Sequence, residues 1–304
     1  METQDILTLA SLSAIWGASF LFIKVGVGQL PPVWVTFGRS VFGGVVILAL
    51  VGAARIPTTA LRTHWRQGLV VAAFNAALPY TMFAVGETII DSSLAGILNA
   101  TLPLWTALMA PLWADADSIH PRQAVGLVLG FGGAVLAAGP GSSTFRGNLV
   151  GAALCLVATL SYAFSTHFSR RAFRDVPSPV TSLMQCAGAA LLTLPLALVF
   201  RPAHGPSLAA VGAVAGLGIG GTGIAMALAY RLIQRVGATR TTIVTYLLPP
   251  WAVFWGFVVL HEAPTPLVLG GMALILVGVF FVTSSPKTAL QLPEAPPAAD
   301  VGRG

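Results

Sequence analysis

Residues 92–113, SSLAGILNATLPLWTALMAPLW, contain no Asp, Glu, Lys or Arg. A helix needs roughly 20 apolar residues to cross the hydrocarbon core of a bilayer, and this stretch has that length. Similar uncharged runs occur at 6–23, 67–86, 123–145, 147–169, 176–200, 205–230, 241–260 and 263–286. A shorter run, 40–54, becomes long enough once it is extended past Arg39 to Pro32. The pattern predicts ten helices near 6–27, 32–52, 68–89, 92–113, 122–139, 148–169, 178–200, 208–232, 239–260 and 265–284. Membrane β-barrels show alternating strands of about ten residues, and these runs are twice as long and do not alternate. Open sheet is unavailable because lipid cannot satisfy backbone polar groups. The expected class is an all-α integral membrane protein.

Composition agrees. Of 304 residues, 56% are hydrophobic and 9% charged, against roughly 25% charged in soluble domains. That excludes a soluble enzyme. The net charge of +6 comes from sixteen Lys and Arg spread along the chain, with no basic cluster interleaved with aromatics, so nucleic acid is not an expected partner. Ten spans with a cytoplasmic N-terminus put twelve of these cations on the inner side. Only Arg146 and Arg201 lie outside, and Lys24 and Arg39 fall within helices. Such a bias is what the positive-inside rule requires. It predicts a multi-pass protein of the cell membrane with both termini cytoplasmic. Residues 285–304, rich in Pro and Ala, read as a disordered cytoplasmic tail.

The chain also repeats. At an offset of 146, Trp16 falls on Tyr162, Arg39 on Gln185, Pro103 on Pro249 and Trp105 on Trp251. An offset of 145 pairs Asp117 with Glu262, Gly126 with Gly271 and Gly133 with Gly278. The expected units are residues 6–139 and 148–284. Each holds five helices, an odd number, so the second copy is expected to enter the bilayer from the opposite side. Inverted repeats are the design of many secondary transporters, with the substrate bound near the midplane between them.

Several stretches carry a family likeness: IWGASFLFIK (15–24), PPVWVTFGR (31–39) and LNATLPLWTALMAPLW (98–113) in the first half. TIVTYLLPPWAVFWGFVVLHE (242–262) and GGMALILVGVF (270–280) supply the second. The chain resembles the EamA branch of the drug/metabolite transporter superfamily over about residues 6–284. The resemblance implies a secondary transporter, with export of small metabolites such as amino acids the commonest activity. Import or passive facilitation, and a non-transporting membrane scaffold or enzyme, are the less favoured alternatives. Where the family usually has Gly-Glu after the ninth helix, this chain has His261-Glu262, with Asp117 as the first-half counterpart.

Candidate solute-binding residues follow from polar or helix-breaking groups at mid-span. Arg39 is a costly intramembrane charge, read as a contact for a carboxylate or phosphate or as a structural cation. Pro103 and Pro249 each release a carbonyl four residues back, which singles out Asn99, Thr245 and, through Pro250, Tyr246. Trp16 and Tyr162 lie too deep for an interfacial belt, and Ser19, Asn75, Tyr80, Thr101 and Thr166 are weaker candidates. Lys24 reads as an interfacial anchor. Gly212, Gly216 and Gly220 read as a close helix contact through GxxxG spacing. No Asp or Glu lies mid-span, which favours a zwitterionic, neutral or anionic solute over a cation. Cys155 and Cys186 are read as small core residues. The five histidines have no metal-ligand spacing, and no catalytic or phosphate-binding motif appears. No cofactor is expected; lipid and a small solute are the expected partners.

Overall fold

The computed structural model describes residues 2–113, 119–139, 145–237 and 241–284. The predicted tail 285–304 and Asp117 lie outside the described residues. In chain order the principal helices are α1 (Thr3–Val27), α2 (Pro32–Ala53), α3 (Trp65–Gly86), α4 (Ser92–Leu112) and α5 (Pro121–Ala137). They continue with α6 (Phe145–Ala172), α7 (Ser178–Val199), α8 (Leu208–Val236), α9 (Ile243–Leu260) and α10 (Pro266–Thr283). Among the described residues, nine are long and apolar enough to cross a membrane. The remaining one, α5, is an apolar helix of 17 residues.

Local chemistry sets the ends. Proline occupies the first turn of α2, α5 and α10, where its missing N–H has no helical partner to lose. Ser207 Oγ accepts the Ala210 N–H at 3.2 Å, and Thr265 Oγ1 the Val268 N–H at 3.3 Å. These caps satisfy donors that would otherwise be orphaned. Gly237, at φ 82°, follows α8 in a backbone shape that side chains rarely adopt.

The outer surface of the bundle is apolar. Val45, Leu191, Val199 and Phe257 are each more than half exposed. In water each such side chain would cost about 25 cal/mol per Å² of apolar surface; against lipid tails that cost vanishes. The interior is an apolar cluster that includes Phe20, Leu98, Leu104, Leu217, Ala252 and Ile275, so both halves contribute to it.

Contacts between the halves exchange under the sequence repeat. A Cβ on Gly126 would stand 2.6 Å from the Gly278 carbonyl oxygen, and one on Gly133 2.7 Å from that of Gly271. Residues early in α5 therefore meet residues late in α10, and these helices pack antiparallel. Likewise Gly43 of α2 lies against Thr222 of α8, while the equivalent Ala189 of α7 clusters with Ala76 of α3. α3 and α8 each contain a π-helical segment, Ala73–Ala77 and Ile219–Ile224. These begin at the same offset, 219 − 73 = 146, and π-bulges concentrate at functional positions.

The glycine reading changes in α8. A Cβ at Gly212 or Gly220 would meet nothing within 4 Å, and one at Gly216 would only touch the Phe22 ring. Gly218 and Gly223 make the close approaches instead, to Phe42 and Arg39 of α2 and to Val46. Regular four-residue spacing therefore misidentifies the packed face of α8. Cys155 and Cys186 are buried free thiols, as expected of small core residues.

Candidate functional site

Arg39 sits two turns into α2, facing the two π-helical segments. Its Nε donates to Thr222 Oγ1 at 3.0 Å, and its guanidinium lies 3.8 Å from the centre of the Tyr80 ring. Thr222 belongs to the π-segment of α8, and Tyr80 follows that of α3. Gln185 of α7, the repeat partner of Arg39, donates from Nε2 to Tyr80 Oη at 3.2 Å and to the Asn75 carbonyl at 3.3 Å. Asn75 Nδ2 returns a bond to Gln185 Oε1 at 2.8 Å. Tyr162 of α6 meets Tyr80 edge-on with ring centres 6.4 Å apart, and stacks on Phe83 at 6.2 Å. Four helices from both halves thus meet in one polar network of hydroxyls, amides and a guanidinium, and α6 packs the Tyr162 ring against it.

The arrangement suits a cation that must stay charged inside a membrane. Cation–π contact with a desolvated ring contributes roughly 2 kcal/mol, and the Thr222 bond fixes one edge of the guanidinium fork. The fork remains a rigid set of donors that matches a carboxylate or phosphate. Arg39 is only partly buried, so the network does not enclose it.

The other sequence candidates divide. Trp16, Tyr162 and Tyr246 all pack against the central apolar cluster. Tyr246 is tied by its hydroxyl to Thr283 Oγ1 of α10. Asn99 and Thr245 make no side-chain hydrogen bond to a described residue. Pro103 follows a true interruption, because α4 breaks at Ala100–Thr101 between Ser92–Asn99 and Leu102–Met109. Pro249 and Pro250 lie inside a continuous α9, so the two proline sites are equivalent in sequence and not in backbone shape. At the first, Thr101 bridges back to Leu98 O at 2.7 Å and across to Thr159 Oγ1 at 3.3 Å, bonds that stabilise an open turn.

Lys24 does not simply extend into solvent. Its Nζ donates to the carbonyls of Glu87 at 2.8 Å and Ile90 at 2.7 Å, closing the carbonyl end of α3 where a cation is favoured. Glu262 does the reverse at the start of α4. It accepts the Ser92 N–H at 2.8 Å, the Ser93 N–H at 2.9 Å and the Ser93 hydroxyl. A residue of the second half thereby caps a helix of the first. Replacing Glu262 by alanine leaves three donors unpaired and should lower stability by about 2 kcal/mol, given roughly 1–3 kcal/mol for an unsatisfied buried donor. Thermal melting of the purified protein checks this, and an unchanged midpoint would show the cap to be dispensable.

Thr222 and Gln185 were not identified as site residues from the chain alone. Gln185 carried a signal, its register with Arg39; Thr222 carried none.

The pattern defining the EamA-like transporter family matches residues 5–139 and again 149–284. The chain belongs to the EamA-like transporter family. The uncharacterized transporter YoaV of Bacillus subtilis (strain 168) is 22% identical, covering 91% of this chain and 96% of its own length. The S-adenosylmethionine uptake transporter of Rickettsia conorii (strain ATCC VR-613 / Malish 7) is 26% identical, covering 84% of each. A solved crystal structure, 21% identical, superposes with a TM-score of 0.66 over 93% of this chain and 97% of that one, a likeness of fold. This EamA-family chain is a multi-pass membrane transporter built from a repeated domain.

Proposed function

We propose that this transporter moves a small metabolite, an amino acid or similar zwitterion, out of the cell across the cell membrane. It does so by alternating access between two inverted five-helix repeats. The exchange of contacts carries this reading: Gly126 with Gly278 and Gly133 with Gly271, about an antiparallel helix pair. Equivalent elements that trade partners can also trade roles, opening one face and then the other. Arg39, with Tyr80, Gln185, Thr222 and Tyr162 around it, receives the solute carboxylate. Trp16, Asn99, Pro103, Thr245, Tyr246 and Pro249 shape the surrounding path. The site network offers no carboxylate of its own, which disfavours an organic cation as cargo. The bias of Lys and Arg toward the side of the N-terminus, on a ten-span topology, supports both ends of the chain lying in the cytoplasm.

Uptake is the second reading, favoured by the name of the Rickettsia relative. Growth separates the two. Cells expressing the protein should withstand toxic dipeptides or amino-acid analogues better than cells without it. Sensitisation instead of protection would overturn export and support uptake.

A further inference from the structure

Glu87 lies one residue beyond the last residue of α3, at the end of the bundle where Lys24, Asp91 and Glu262 gather. Its side chain is 0% exposed, and neither carboxyl oxygen has a hydrogen-bond partner. A buried carboxylate is normally paired, because water's solvation must be replaced by something. Here the charged groups Lys24 and Glu262 are committed elsewhere. The Lys24 ammonium from α1 is held by the Glu87 and Ile90 carbonyls. The Glu262 carboxylate, from the segment after α9, is spent on the start of α4. Asp91 stands in the turn before α4, its carboxyl pushed up by burial, then by Glu262, with Lys24 opposing. Cys155 of α6 and Arg39 of α2 complete the electrostatic surroundings. Around it, Gly86 and Gly151 pack so closely that a Cβ on Gly86 would stand 3.0 Å from Cys155 Sγ, and one on Gly151 2.5 Å from the Ile90 side chain. Such a junction excludes water.

We infer that Glu87 is a proton-binding site, neutral while this end of the bundle is shut and deprotonated when the end opens to water. An unpaired carboxyl in this enclosure keeps its proton, since the charged form would lose its solvation and the Lys24 ammonium nearby is held by backbone carbonyls. On opening, the O–H bond breaks, the proton passes to water, and the carboxylate left behind faces Lys24, which can leave the turn carbonyls to pair with it. Opening and proton release become one event, and a pH difference across the membrane then biases which face is open. This use of the site rests on the transport reading; the protonation state does not.

Infrared difference spectroscopy on the full chain in lipid nanodiscs tests it without any solute. Native protein should show a protonated-carboxyl stretch at neutral pH that is lost in Glu87→Gln and kept in Glu262→Gln and Asp91→Asn. The same band in folded Glu87→Gln, or no such band in native protein, overturns the assignment. In D2O the band should shift as the site opens and exchanges; a band that never shifts overturns the release. Gel filtration and melting confirm that each variant is folded. A positive spectrum with no effect on growth would refute transport of the compounds tested and leave the proton site standing. The converse would refute the site alone.

Discussion

Gly271→Leu is expected to deprive the protein of its folded state in detergent or to lower its stability by about 3 kcal/mol, the upper part of the range for overpacking. A Cβ at Gly271 would stand 2.6 Å from the Ala137 amide nitrogen and 2.6 Å from the Gly133 carbonyl oxygen. Both obstacles are backbone, so no rotamer change relieves the overlap, and α5 must move away from α10 along their whole contact. The loss is large because helices in lipid associate by close van der Waals packing and have no hydrophobic drive to replace it. Gly132→Leu on α5 is the control: a Cβ there meets nothing within 4 Å, and its stability should match the native protein. Gel-filtration recovery after graded heating measures both. Equal recovery of Gly271→Leu and Gly132→Leu would remove this helix pair as the clamp between the halves.

Arg39→Gln should abolish the stabilisation that a carboxylate-bearing solute confers in a thermal-shift screen. A hydrogen bond to a charged group contributes roughly 1.5–3 kcal/mol. Loss of about 2 kcal/mol weakens binding roughly 30-fold, enough to erase the shift, which depends on solute concentration relative to its dissociation constant. Arg39→Lys should restore it only in part. An ammonium keeps the charge and loses both the planar stacking on Tyr80 and the paired donors. An undiminished shift in Arg39→Gln would leave Arg39 as a structural cation that joins α2 to α8 through Thr222.

Arg39 shows how far hydropathy reading reaches. A single cation in an apolar run is conspicuous, and its depth follows from counting residues. Its neighbours are not conspicuous. Thr222 lies 183 residues away in a glycine-rich stretch, and only a π-helical turn brings its hydroxyl to the guanidinium. The partners of Lys24 are hidden for a related reason. A lysine near a helix end ordinarily reaches water, and here two carbonyls of the turn between α3 and α4 hold it. Glu87 lies near a span end, and distance from the middle of a helix says nothing about which side chains cover it.

Chain order and apolar run length were enough to set the all-helical membrane class, the approximate spans and the repetition of one domain, because a bilayer penalises any unsatisfied backbone and leaves helices as the economical solution. The partners of each polar group were set by packing in three dimensions. A hydrogen bond acts over about 3 Å, and separation along the chain does not record which helices come that close.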